Sequence, residues 1–215
     1  MFSMTESPKW PSKVLVSNPH GFCAGVVRSI DGYRQAAADF KAAKELDPNL
    51  ELYSIGQPAH NPDVISEFEG VMKFVKDITE VPQGGKALEG PHGTRIDNFQ
   101  YALENNIELV PTMCPLVEAP QRRVIENTEK GIKTIYFGEP GHAEAIAVAG
   151  SGDAVLVEGK EEALETAQRL RAENPDLKLA FANQTTKNAD EALEIQQALV
   201  DQFPDIQQIK KTDIC

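Results

Sequence analysis

Short apolar runs alternate along the chain with longer stretches in which apolar residues recur at three- and four-residue steps. The runs at 13–17 (KVLVS), 51–55 (ELYSI), 71–75 (VMKFV), 86–89, 107–112, 132–137 (IKTIYF), 154–157 (AVLV) and 177–182 (LKLAFA) are rich in β-branched or aromatic residues and predict strands. The stretches 24–45, 62–69, 94–105, 116–130, 142–149, 160–173 and 188–203 predict helices, and a short extended tail follows at 206–214. In the last helix, Ala189, Ala192, Leu193, Ile195, Leu199 and Phe203 are expected to face a core. Asn-Pro at 18–19, 61–62 and 174–175 and Gly-Gly at 84–85 mark joints. Strands alternating with helices predict an α/β fold, a parallel sheet with helices on its faces.

The bulk properties narrow the partners. A chain of 215 residues, 41% hydrophobic and 25% charged, suffices for one large domain or two small ones. No apolar run approaches the roughly 20 residues of a membrane span. Residues 1–12 lack both an apolar core and arginine, so they read as a polar arm and not as a signal peptide. A net charge of −12 argues against nucleic acid or an anionic membrane as partner. It also means that any phosphate site has to be built locally.

Cys23, Cys114 and Cys215 are an odd, widely spread set, which is no disulfide framework and suits a reducing cytoplasm. Cys23 follows a predicted strand and opens a helix (VLVSNPHGFCAGVVRSI). Cys114 does the same (IELVPTMCPLVEAPQRRVI), and Cys215 ends an extended run (IQQIKKTDIC). Each interval is about one small α/β module. Ligands in α/β sheets gather at the carboxyl ends of strands. Three cysteines at three strand ends are therefore expected to meet and bind metal, against the alternative of three unrelated thiols. No close C-x-x-C pair signals zinc. Three remote thiolates suit a four-iron cluster whose fourth iron stays open as a Lewis acid.

Three of the four histidines lie in glycine- or proline-bearing loops after strands: His60 in PAHN, His92 in GPHGT and His142 in PGHAEA. In equivalent places they suit an anion-binding set, although each alone reads equally as a surface residue. His20 fits simple exposure better. Glu144, two residues after His142, is placed to relay protons or to favour a helix start. Asn183-Gln184-Thr185-Thr186 follows a strand and offers hydroxyls to a substrate, while Asn188 fits the cap of the next helix.

NPHGFCAGVVRSI resembles the amino-terminal cysteine motif of the 4-hydroxy-3-methylbut-2-enyl diphosphate reductases, the LytB/IspH family. AHN, PHG, CPLV, GHAE, QTT and TDIC follow in that family's order, from about Lys13 to Cys215. The resemblance implies a pseudo-threefold trefoil of parallel-sheet α/β modules around a central [4Fe-4S] cluster. Cys23, Cys114 and Cys215 would ligate that cluster. His60, His92, His142 and Thr185 would bind substrate, with Glu144, Thr185 and His142 taking part in catalysis. The implied reaction is reductive dehydroxylation of 4-hydroxy-3-methylbut-2-enyl diphosphate to isopentenyl and dimethylallyl diphosphate, in the non-mevalonate route to isoprenoids. Ferredoxin or flavodoxin would donate the electrons, in the cytoplasm, with no nucleic acid or membrane involved. The expected division is an arm and strand at 1–23 belonging to the central or third module, a first module at 24–113, a second at 114–212, and at 213–215 the start of a truncated third.

This sequence departs from the family at several flanks. Gly56-Gln57 stands where a His-Glu pair is usual, Gly90-Pro91 where Ser-Ala precedes the histidine, and Pro111-Thr112-Met113 where Asp-Ala-Thr leads to the second cysteine. Glu118-Ala119-Pro120-Gln121 replaces a Thr-Lys-Val-His run, and Glu139-Pro140 a common Gly-His. These changes keep open two alternatives to the reductase: a non-catalytic cluster-binding or electron-transfer relative, and a degenerate paralogue or fragment.

Overall fold

The computed structural model describes residues 13, 15, 16, 18, 20–209 and 213–215. The polar arm expected at 1–12 lies outside the described residues. Of the strand expected at 13–17, residues 14 and 17 lie outside them too, while 13, 15 and 16 belong to no strand and leave Leu15 and Val16 exposed. Residues 210–212 of the predicted tail are likewise outside.

Seven helices and seven strands are described, alternating except where β3 follows β2. They are α1 (Ala24–Leu46), β1 (Leu52–Ile55), α2 (Pro62–Ser66), β2 (Met72–Val75), β3 (Lys86–Leu88), α3 (Ile96–Glu104), β4 (Glu108–Val110), α4 (Pro115–Glu129), β5 (Ile132–Phe137), α5 (Ala143–Ala149), β6 (Ala154–Val157), α6 (Lys160–Glu173), β7 (Lys178–Asn183) and α7 (Ala189–Gln202). A single 3-10 turn at Ile78–Glu80, not expected from the sequence, is closed by a capping box between Asp77 and Glu80.

The strands form two parallel sheets, ordered β2-β1-β3-β4 and β6-β5-β7. In the first, Ser54 pairs with Leu88 and Leu88 with Val110. In the second, Phe137 pairs with Val157 and Asn183. Each sheet is covered on both faces, so its strands are apolar over most of their length, with charged residues such as Lys86, Glu108 and Lys178 at their ends. Successive side chains point to opposite faces: Leu52 and Leu88 pack with Tyr33 and Phe40 of α1, whereas Tyr53 and Ala87 pack with Ala102 of α3. In the second sheet Ile135, Phe137 and Phe181 pack with α6 and α7, and Tyr136 and Ala182 with α4 and α5. A division at Cys114 is proposed, because β4 closes the first sheet and α4 begins the cover of the second.

One expectation about the last helix is corrected. Ala192, Ile195 and Leu199 are buried, but Leu193 is 50% exposed. It follows Ala192 by one residue, a turn of about 100° around the helix axis, and so faces solvent.

Within each sheet all strands run the same way, so the loops leaving β1, β3, β4, β5 and β7 emerge at carboxyl edges. Those loops carry His60, His92, Cys114, His142 and Thr185.

Candidate functional site

Two of the cysteines are helix caps. Cys23 precedes α1, and its Sγ accepts a hydrogen bond from the Val26 N–H at 3.5 Å. Cys114 precedes α4, whose first residue is Pro115, a residue suited to a position that needs no donor. The Cys114 N–H donates to the Pro91 carbonyl at 3.0 Å. Gly25 lets the two thiols approach: a Cβ there would lie 2.6 Å from Cys114 Sγ and 3.8 Å from Cys23 Sγ. Cys215 arrives from the other sheet. Its N–H donates to the Thr185 carbonyl at 2.9 Å, and Asp213 just before it pairs with Arg123 on α4. All three thiols are free.

The three loop histidines form a stack. The His60 and His92 rings have centroids 5.5 Å apart at 35°, and His92 meets His142 edge-on at 5.5 Å and 88°. Asn61 caps α2 by accepting from the Asp63 and Val64 N–H groups, which fixes His60 immediately before it. His142 caps α5, its Nδ1 accepting from the Glu144 N–H at 3.2 Å. With Nδ1 an acceptor, the neutral ring carries its proton on Nε2. Burial, then the neighbouring His142 and His60 rings, depress the His92 pKa to about 4. His92 is thus neutral at pH 7. His20 is exposed.

Glu144 is 1% exposed. Its Oε1 accepts from the Thr185 N–H at 2.7 Å and its Oε2 from the Thr185 hydroxyl at 2.7 Å. The Tyr136 hydroxyl donates to Oε1 at 3.4 Å. Burial, followed by the neighbouring Glu144 charge, pushes the Tyr136 phenol well above its ordinary value, so it stays a donor. Gln184 locks the two loops together: its N–H donates to the Phe137 carbonyl at 2.8 Å and its side-chain oxygen accepts from the Glu139 N–H at 2.8 Å. Asn188 caps α7 through the Asp190 and Glu191 N–H groups, as expected.

These groups share one cavity of about 340 Å³. Cys23, Cys114, Cys215, His60, His92, Glu144 and Thr185 line it, together with the apolar Phe22, Val26, Pro58 and Leu116. His142 is not part of the lining but stands against His92 and Glu144. Tyr136, Gly25 and Phe22 are additions that sequence reasoning missed. Tyr136 reads as an ordinary inward strand residue, whereas a glycine at the start of a helix beside a cysteine was a usable signal.

The LytB protein family model matches residues 14–215. A 4-hydroxy-3-methylbut-2-enyl diphosphate reductase of Acidothermus cellulolyticus is 30% identical over 99% of this chain and 60% of its own length. A reductase of the same name from Neisseria gonorrhoeae is 33% identical over 94% of this chain and 60% of its own. Two solved structures share the fold. One is the E-1-hydroxy-2-methyl-but-2-enyl-4-diphosphate reductase of Plasmodium falciparum, with TM-score 0.76, 24% identity, and coverage of 92% of this chain and 59% of that one. The other is (E)-4-hydroxy-3-methyl-but-2-enyl diphosphate reductase, with TM-score 0.70, 21% identity, and coverage of 94% and 68%. The chain spans about 60% of the length of the curated relatives it matches. A family model covering nearly every described residue, and relatives at this identity along the whole chain, make this protein a member of the LytB family.

Proposed function

We propose that this chain carries the cluster-binding and proton-relay part of a reductase. The enzyme would convert 4-hydroxy-3-methylbut-2-enyl diphosphate to isopentenyl and dimethylallyl diphosphate, as the names of its relatives suggest. The observation that carries the reading is the single cavity that receives all three thiols along with His60, His92, Glu144 and Thr185.

The donor set fits a [4Fe-4S] cluster. Three free thiols line the wall of one cavity, the number that a four-iron cluster with one open iron needs. Gly25 leaves room between two of them. Such a cluster supplies electrons one at a time and offers an iron without a protein ligand as a Lewis acid.

The chain's own residues supply the rest. His60 and His92 border the cavity from the first sheet and are suited to hold the diphosphate through ring N–H donors. The Thr185 hydroxyl orients the substrate hydroxyl, and Glu144 holds the proton. A proton on Glu144 passes onward when the Thr185 hydroxyl turns to accept from Oε2 and gives its own hydrogen to the substrate oxygen, a rotation of one O–H bond that moves no heavy atom. Phe22, Val26 and Leu116 give the hydrocarbon part an apolar wall. In balance, the C–O bond breaks, two electrons and two protons enter, and water leaves with an allylic hydrogen gained. The electron donor is proposed to be ferredoxin or flavodoxin. Free thiols and iron–sulfur chemistry suit the cytoplasm, and no helix among the described residues is long and apolar enough to cross a membrane.

The test is iron and acid-labile sulfide per chain after anaerobic reconstitution, alongside the visible spectrum. About four of each per chain is expected, falling on Cys114→Ser. Wild-type protein that takes up neither sinks the reading and leaves a degenerate relative.

A further inference from the structure

Gln121, on α4 two turns beyond Cys114, is buried with 4% exposure. Its Nε2 donates to the Thr94 carbonyl at 2.6 Å and to Ser151 Oγ at 2.7 Å. Ser151 Oγ in turn donates to the Ala147 carbonyl at 2.6 Å, so toward Gln121 it acts as acceptor. Two acceptors on one nitrogen fix which way the amide points. Its Oε1 is buried without a protein donor, against Gly93, where a Cβ would lie 2.8 Å away. Gly93 also has φ +80°, a conformation that glycine adopts without strain.

These bonds join elements from different sheets. Thr94 lies two residues after His92, in the loop leaving β3. Ser151 lies just beyond α5, the helix that His142 caps and Glu144 begins. At its other end the His92 loop is held by the Cys114 N–H on the Pro91 carbonyl. His92 and Gly93 are therefore suspended between two backbone anchors supplied by α4 and its cap, while Asn98 Nδ2 of α3 holds the Thr94 hydroxyl at 2.6 Å. Among the described residues, the backbone bond between this loop and α5's end, Ile96 N–H to the Gly150 carbonyl, is long at 3.4 Å.

We infer that Gln121 is a positioning residue that sets the His92 ring against His142 and Glu144, by tying the Thr94 backbone of one sheet to Ser151 behind the other. Its importance for substrate rests on the diphosphate reading above; its effect on the rings does not.

The experiment compares wild type, Gln121→Leu and Ser151→Ala, as full chains. Ring-proton NMR signals of His92 and His142, assigned with His92→Gln and His142→Gln, report the edge-on geometry through ring-current shifts, which overall stability does not move. Calorimetry with inorganic diphosphate follows. Both variants are expected to shift the His92 and His142 signals and leave those of His20 in place. Affinity for diphosphate is expected to fall about tenfold in Gln121→Leu. Ser151→Ala keeps the Thr94 bond and decides the matter if Gln121→Leu does not fold. Unmoved ring signals in the folded variants overturn the inference. Moved signals in a chain whose wild type ignores diphosphate uphold the positioning role and overturn the diphosphate reading instead.

Discussion

Glu144 and Thr185 are joined at two points: the threonine's N–H and hydroxyl each donate to a different oxygen of the same carboxylate, both at 2.7 Å. The two residues come from different strand-to-helix loops, after β5 and β7, and both are buried. The paired bonds fix the orientation of a group that would otherwise rotate about its side-chain torsions.

Thr185→Val tests what the hydroxyl contributes, because it keeps the shape and the backbone bond. Losing a hydrogen bond to a buried charged group is expected to cost about 1–3 kcal/mol in a melting experiment. In the assembled enzyme, turnover is expected to drop by about two orders of magnitude with cluster absorption intact. Thr185→Ser should recover most of it. Glu144→Gln is expected to slow turnover in the same way; full activity in that variant would remove Glu144 from the proton relay.

Gly25→Ala separates folding from metal retention. Alanine is the better helix former, and at the second residue of α1 the gain is small, so the cluster-free chain is expected to melt close to wild type once the Cys114 thiol swings aside. The new methyl group occupies the space between the two sulfurs. Iron bound per chain after reconstitution is therefore expected to fall. Equal iron loading would show that the thiols do not need that gap.

His92 should make stability sensitive to acid. Its pKa drops from 6.5 in a free chain to about 4 in the fold, so the unfolded state binds the proton more tightly. The contribution is complete above pH 6.5 and is lost as pH falls from 6.5 toward 4, at no more than about 1.4 kcal/mol per pH unit. Denaturant midpoints measured across that window should decline. In His92→Gln the part due to this ring should vanish, and an identical slope would assign the acid sensitivity to other groups.

Phe181 and Leu193 bracket the packing of the second sheet. Phe181 is 1% exposed among Ile135, Leu199 and Ile195, and its change to alanine is expected to cost about 3–5 kcal/mol. Leu193→Ala, on the solvent side of α7, should shift stability by no more than about 0.5 kcal/mol. Comparable losses in urea melts of the two variants would contradict the orientation of α7.

Elements were legible in the chain because period and punctuation agreed. The strands at 132–137 and 154–157 and the helix at 160–173 match their predicted limits, each with a glycine or asparagine within two residues of both ends. Leu193 was misassigned because a helix mixing alanine and leucine on adjacent positions does not declare its inner face. The 3-10 turn at Ile78–Glu80 was missed because its signal is an Asp-to-Glu reciprocal cap spanning only four residues. At the site, strand-end residues announced themselves through loop glycines and prolines. Gln121 and Tyr136 did not, since a glutamine within a helix and a tyrosine within a strand look the same whether or not they face a cavity. Their roles depend on contacts 27, 30 and 8 positions away.

Thr185 also uses its carbonyl, which accepts from the Cys215 N–H. One residue thus spends every polar group it has on two neighbours, the carboxylate through N–H and O–H and the third cysteine through C=O. On the proposed reading, those neighbours belong to the proton path and the electron path. The separation between the two paths is then set by the width of a single amino acid, and a change of charge at one is felt mechanically at the other without any intervening side chain.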